Sequence, residues 1–195
     1  MENIKITSEA TCINSGISHC TKKIAEIYNS NINVLDYGCG TGRNMWYLIG
    51  SKYNLHGCDT IAQLKKQKYN HDELREKGCV IETSKNLPND FYNVVLCSFV
   101  LNVIESDDLK KEILKDLLDK QKRFGITYLE VRTKSDILKT KNKERYKDGF
   151  LVSKGKILTY QEPITFEKLE NLVNSVGYHI NTHICNTTKH YATLF

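Results

Sequence analysis

The chain lacks any pair of cysteines in C-x-x-C spacing, has only two prolines, and contains no apolar run near the ~18 residues that a membrane span requires. Without C-x-x-C, the usual patterns for zinc ligation and for a thioredoxin-type redox pair are gone. The six histidines, at 19, 56, 71, 179, 183 and 190, form no metal-ligand spacing either. The opening MENIKITSEATCINSG holds no apolar stretch followed by a small-residue cleavage site, so no secretory signal is expected. Pro88 and Pro163 fall in expected loops and mark no clear linker, and no internal repeat or low-complexity tract interrupts the chain.

What is present describes an ordinary globular domain. The 195 residues are 40% hydrophobic and 26% charged, enough for one domain with a real core. Seven cysteines, at 12, 20, 39, 58, 79, 97 and 185, make an odd count. Several sit inside apolar runs such as CVIE and VVLCSFV, which fits reduced thiols acting as small hydrophobes in a cytoplasm. Net charge is +5, and residues 132–147 hold seven basic and two acidic side chains, a local excess equal to the whole. That segment predicts either an anionic partner such as nucleic acid or a solvated loop in a Lys- and Asn-rich chain.

Hydrophobic spacing predicts alternating helices and strands. Residues 17–29 place Ile17, Cys20, Ile24, Ile27 and Tyr28 on one helical face. NINVLDY, KYNLHGCD, CVIE, YNVVLCS and ITYLEVR read as strands. NMWYLI reads as a helix, and residues 61–77 as a polar helix stopped at Gly78. Ser106 opens a helix with Leu109, Ile113, Leu114, Leu117 and Leu118 as its buried stripe. Thr165 opens another, with Phe166, Leu169, Leu172, Val173 and Val176, stopped by Gly177. YHINTHIC and HYATLF close the chain as a hairpin. The fold class predicted is α/β, a Rossmann-like doubly wound sheet with a C-terminal antiparallel hairpin.

In such a sheet the ligand lies beyond the C-terminal ends of the central strands. DYGCGTG follows the first of them, and Gly38, Gly40 and Gly42 let backbone N–H groups approach a ligand closely. Asp36 precedes the glycines. Asp59 ends the next strand 23 positions later, where a carboxylate can accept from both ribose hydroxyls. Ser98 and Phe99, after YNVVLC, line the far side of the crevice.

These residues, in this order, resemble class I S-adenosylmethionine-dependent methyltransferases. VLDYGCGTGRN is similar to the first motif of that superfamily, HGCD to the second and YNVVLCSFVLNVI to the strand-four motif. The resemblance implies a seven-stranded sheet, S-adenosyl-L-methionine as cofactor and S-adenosyl-L-homocysteine as product. It also implies cofactor contacts from Asp36, Gly38, Cys39, Gly40, Gly42, Asp59, Thr60, Glu82, Thr83, Ser98 and Phe99. Over most of the chain, DYGCGTGRNMWYL, CSFVLNVI, LEVRTKSD and YKDGFLVSKG…TYQ resemble small methyltransferase-like proteins of phages and DNA phosphorothioation systems. That group's TSKGTFQ is interrupted here by Lys156, Ile157 and Leu158.

The implied layout is one methyltransferase domain over 1–195. Residues 1–30 form a helical cap, 31–131 a cofactor-binding core, 132–163 a basic loop or insertion, and 164–195 the C-terminal helix and hairpin. The acceptor would be held over the cofactor by the cap and the 132–163 segment.

Methyl transfer needs little covalent participation by the protein, so the absence of a triad is no obstacle; holding the reacting atoms in line supplies much of the acceleration. The chain has no (D/N/S)-P-P-(Y/F/W) turn after strand four, which disfavours methylation of adenine or cytosine amino groups. Cys97 lacks the preceding proline of a carbon-5 cytosine nucleophile and reads as a core residue. His19, Asn102, Arg132 and Tyr146, with Asp148, are candidates for the acceptor mouth, although packing or turn roles serve as well. The acceptor itself is not specified, with nucleic acid expected ahead of a small molecule, and no catalytic base, metal or membrane association is implied. Two rivals share the motifs: a nicotinamide oxidoreductase, opposed by Arg43 in its third-glycine slot, and a non-enzymatic binding subunit that keeps the fold.

Overall fold

The computed structural model describes residues 5–6, 16–154, 157–185 and 189–195. In chain order the elements are β1 (Lys5–Ile6), α1 (His19–Ile27), β2 (Asn33–Tyr37), α2 (Arg43–Leu48), β3 (Asn54–Cys58), α3 (Ile61–Lys66), α4 (Lys68–Glu76), β4 (Val80–Glu82) and β5 (Tyr92–Ser98). There follow α5 (Asp107–Lys120), β6 (Gln121–Arg132), α6 (Lys134–Leu138), β7 (Lys143–Tyr146), β8 (Gly149–Lys154), β9 (Ile157–Gln161), α7 (Phe166–Asn174), β10 (Ile180–Cys185) and β11 (Lys189–Leu194). Cys12 of the expected cysteine set lies outside the described residues.

A seven-stranded sheet runs in the order β10-β11-β6-β5-β2-β3-β4. The five strands from β6 to β4 are parallel; β11 lies antiparallel on β6 and β10 antiparallel on β11. From β2 the chain steps outward to β3 and β4, then returns to build β5 and β6 on the other side. The order therefore reverses between β2 and β5, and connections leave these two strands in opposite directions, opening a crevice at their C-terminal ends.

Strand periodicity sorts the core into two layers. On β2, Leu35 faces a cluster with Cys97, Leu114, Leu129, Leu169 and Val173, covered by α5 and α7. Val34 faces the other, with Met45, Leu48, Leu74, Leu96 and Ile81, covered by α1, α2 and α4. Each such fully buried aliphatic side chain contributes about 1.5–3 kcal/mol. The same alternation turns Asp36 towards the α2 side and Tyr37 towards α5, where its hydroxyl donates to Asp116 Oδ2 at 2.7 Å.

Several helices begin at the side chains expected. Ser106 accepts from the Leu109 amide, with Asp107 and Asp108 in the first turn of α5, and Thr165 accepts from the Lys168 amide at α7. The polar helix predicted over 61–77 is two helices, broken where Gln67 takes φ −101° and ψ 17°. Leu109, expected in the stripe of α5, is exposed, whereas Lys110 and Lys120 are buried.

Residues 132–163 are not a loop. They contain α6 and three strands of a second sheet, ordered β1-β9-β8-β7. A buried polar seam joins this sheet to the first. Asn102 Nδ2 donates to the carbonyls of Glu162 (2.6 Å) and Arg132 (3.2 Å), and its Oδ1 accepts the Arg132 amide at 2.8 Å. The Glu162 amide donates back to the Asn102 carbonyl. Beneath it, the wholly buried Lys110 ammonium pairs with Glu162 and with Asp107.

Candidate active site

The crevice between β2 and β5 is lined first by the glycine turn. Gly38, Gly40 and Gly42 take φ values of 71°, 54° and 77°, which side-chain-bearing residues rarely adopt. Their surroundings differ. A Cβ on Gly38 would lie 2.4 Å from Val100 Cγ2, and one on Gly42 2.2 Å from Leu74 Cδ1, whereas one on Gly40 would meet nothing within 4 Å. Gly40 thus presents bare backbone to open space, while its neighbours are glycines because the turn is packed. The Gly38 and Cys39 amides donate to the Cys58 carbonyl, at 2.8 and 3.0 Å, binding the turn to the tip of β3.

Asp59 completes that connection. Its Oδ2 accepts the Gly40 amide and its Oδ1 the Thr60 amide, both at 2.8 Å. A carboxylate oxygen carries two lone pairs and can accept more than one hydrogen bond. Thr60 also caps α3. The Asp59 amide donates to the Glu82 carbonyl, which brings Glu82 and Thr83 to the adjoining tip of β4.

Asp36 is buried below the turn. Its Oδ1 accepts from Asn44 Nδ2 at 3.4 Å, and its Oδ2 has no hydrogen-bond partner. Burial pushes its carboxyl up to about 7, against the opposing pull of the Asn44 amide and the Arg43 guanidinium. An orphaned carboxylate oxygen beside bare backbone fits a positively charged ligand, because burying it unpaired is costly.

Two contributors have little or no sequence signal. Wholly buried His71 donates from Nε2 to the Gly40 carbonyl at 2.7 Å, fixing the turn from below; nothing in YNHDELRE announces this. Glu130, also wholly buried, stands two residues before the end of β6, and the lone acid in ITYLEVR was its only mark. Burial raises its carboxyl, opposed by Lys189, the Ser18 hydroxyl and the first amides of α1. Arg43 interacts electrostatically with both Asp36 and Glu130.

The structure gathers Asp36, Gly38, Cys39, Gly40, Gly42, Asp59, Thr60, Glu82 and Thr83 on the tips of β2, β3 and β4. Ser98 and Phe99 stand at the tip of β5. Cys39 and Cys97 are buried, and burial raises both thiols, which suits packing rather than nucleophilic chemistry. His19 packs against Tyr191 with the rings tilted by 42° and their centroids 4.4 Å apart. Asn102 and Arg132 are engaged in the seam: the Arg132 guanidinium bonds Asp136, Gln161 and Thr140. Tyr146 packs edge-on against Tyr160 in the second sheet.

A seven-stranded sheet in this order, with a glycine turn and two acids at its central tips, defines the class I methyltransferase fold. A family model described as "Methyltransferase domain" matches residues 14–185, and the chain belongs to that family. It is a methyltransferase enzyme. Among curated proteins none matches the chain by sequence. Solved structures agree on the fold. An S-adenosylmethionine-dependent methyltransferase from Clostridium acetobutylicum has TM-score 0.67 at 15% identity, covering 93% of each chain. The glycopeptide N-methyltransferase MtfA complexed with S-adenosyl-L-methionine has TM-score 0.66 at 10% identity, over 97% of this chain and 99% of that one. A 1,6-didemethyltoxoflavin-N1-methyltransferase from Burkholderia thailandensis, with bound 1,6-didemethyltoxoflavin and S-adenosylhomocysteine, has TM-score 0.65 at 13% identity, over 89% and 75%.

Proposed function

We propose that this chain transfers a methyl group from S-adenosylmethionine to an acceptor held at the tips of β5 and β6, beside the second sheet. The observation that supports it most is the joint geometry of one crevice: the Gly40 backbone facing open space, Asp59 bonded to it, and an unpartnered Asp36 oxygen beneath. In this reading Asp59 receives the ribose hydroxyls, the 38–42 turn lies along the methionine part, and Asp36 balances its positive charge. Glu82 and Thr83 border the adenine. The cofactor supplies a methyl group on a sulfonium, open to attack from the side opposite the sulfur. The protein's part is to align the acceptor and exclude water.

We place the acceptor among small molecules and peptides rather than nucleic acid. The expectation of nucleic acid rested on the basic 132–147 segment and on the resemblance to proteins of phages and DNA phosphorothioation systems, and three of the segment's cations are committed within the chain. Arg132 bonds Asp136, Lys143 donates to the carbonyls of Leu138 and Thr140, and Lys147 pairs with Glu105. We also infer a reducing compartment such as the cytoplasm, since Cys20, Cys39, Cys58, Cys79 and Cys97 are buried free thiols. No described helix is long and apolar enough to cross a membrane.

The test is incubation with methyl-labelled donor and a lysate separated into small-molecule, peptide and nucleic-acid fractions. Label in the small-molecule or peptide fraction is expected, and its loss in Asp59→Ala. Label confined to nucleic acid would move the acceptor back to the earlier expectation.

A further inference from the structure

The tip of β6 holds an arrangement that the donor side does not use. Glu130 Oε2 accepts the Ser98 hydroxyl at 3.3 Å, while Oε1 makes no hydrogen bond. The Glu130 carbonyl accepts the Phe99 amide at 2.8 Å. That bond holds Phe99 at φ 64°, a backbone state that a bulky residue seldom adopts and that clusters where function imposes it. Lys189, at the start of β11, completes the group. Its Nζ lies 3.7 Å from Glu130 Oε1 and 4.5 Å from the centre of the Phe99 ring. A primary ammonium thus rests between a carboxylate and the face of an aromatic ring, the surroundings that favour a cation.

We propose that this group is the acceptor subsite and that the acceptor is a primary or secondary amine, bound as its ammonium ion in the place that Lys189 Nζ occupies; Glu130 takes one N–H proton, the freed nitrogen lone pair attacks the donor methyl carbon, and the C–S bonding pair leaves with the sulfur. The proposal rests on the methyltransferase reading above and adds the acceptor's chemical class. Position supports it. Ser98 pairs with Glu130, and Tyr37 with Cys97, so β5 alone separates this group from the glycine turn. Two strand spacings, ~10 Å, therefore span donor turn and subsite.

Charge supports it too. Glu130 is fully buried, and the Lys189 side chain is 21% exposed, so the lysine forms the solvent side of the pair. Its flexible stem can swing aside. A neutral alcohol taking its place would leave the buried carboxylate without its nearest cation, with only Arg43, the Ser18 and Ser98 hydroxyls and the first amides of α1 to offset its charge, and an anionic acceptor would be repelled. An ammonium exchanges for an ammonium with the charge unchanged. Selection for amines follows from the cost of every other exchange.

The experiment measures binding of benzylammonium, with benzyl alcohol as its neutral counterpart, to the full chain saturated with S-adenosylhomocysteine. Lys189→Ala, which vacates the subsite, should bind benzylammonium at least fivefold more tightly than the native chain. Glu130→Gln should weaken it at least tenfold and leave benzyl alcohol unaffected. Equal benzylammonium binding by the native and Lys189→Ala chains, with S-adenosylhomocysteine still bound by both, overturns the amine subsite and leaves the methyltransferase reading standing. No binding of S-adenosylhomocysteine by the folded native chain overturns both. Should Glu130→Gln fail to fold, the Lys189→Ala comparison decides alone.

Discussion

The Gly40 amide donates to Asp59 Oδ2 at 2.8 Å, joining the tips of β2 and β3. A residue chosen for its bare backbone and a residue chosen for its charge thus form one structure. The turn cannot shift without disturbing the carboxylate, and the carboxylate helps to hold the turn that faces the crevice. Other expectations follow from how this unit is supported.

Gly38 and Gly40 should respond differently to alanine. At Gly38 the new methyl would meet Val100 at 2.4 Å in a left-handed backbone, so Gly38→Ala should cost about 2–5 kcal/mol of stability. At Gly40 only the backbone strain of about 1–2 kcal/mol applies, because the space is open. The Gly40→Ala methyl would instead project towards the ligand. Thermal unfolding should separate the two in one direction, and titration with S-adenosylhomocysteine should show that folded Gly40→Ala has lost affinity.

Asp36 sets a pH dependence. Its carboxyl is lifted by burial to about 7, whereas an unfolded aspartate sits near ~3.9. Between those values the folded chain binds more protons than the unfolded one, so this group's contribution to stability falls as pH rises from ~4 through 7. A cationic donor favours the ionised carboxylate, so S-adenosylmethionine affinity should rise roughly tenfold from pH 5.5 to 7. Asp36→Asn should flatten both trends. Denaturant midpoints and binding constants across that range are the measurements.

His71 should act through the glycine turn. Replacing it with alanine removes the donor to the Gly40 carbonyl and should cost about 1–3 kcal/mol of stability, with weaker cofactor binding in the variant that remains folded. Unchanged affinity and unchanged denaturation midpoint would show that the turn holds itself.

The last strand should be indispensable. β11 lies between β10 and β6 with Ala192 and Leu194 buried, so deleting HYATLF strips the edge of β6 and opens the core. Loss of cooperative unfolding is the expected result. A soluble, cooperatively folding truncated chain would contradict it.

The glycine turn and the acids beside it were legible in the sequence because their residue types are forced. Left-handed turns demand glycines, and Asp36 and Asp59 stand out as acids ending apolar strands. The group around Glu130 was not. Glu130 sits inside a strand, and its meaning depends on Lys189, 59 positions away and on another strand. Asn102 looked like a mouth residue, yet both ends of its amide are taken by a seam that exists only once the second sheet docks. That sheet was itself obscured: KERY, GFLVSK and ILTYQ are short, and the basic excess of 132–147 reads as a loop until Arg132 and Lys147 are seen with their partners.

Isothermal titration of the folded chain with S-adenosylhomocysteine, native and Asp59→Ala in parallel, tests the account most directly. A single saturable site is predicted for the native chain. Asp59→Ala should be weaker by about 1.5–3 kcal/mol, roughly 10- to 150-fold, the range for hydrogen bonds to a charged group. No heat at high-micromolar ligand, or equal affinity in the two chains, would contradict it.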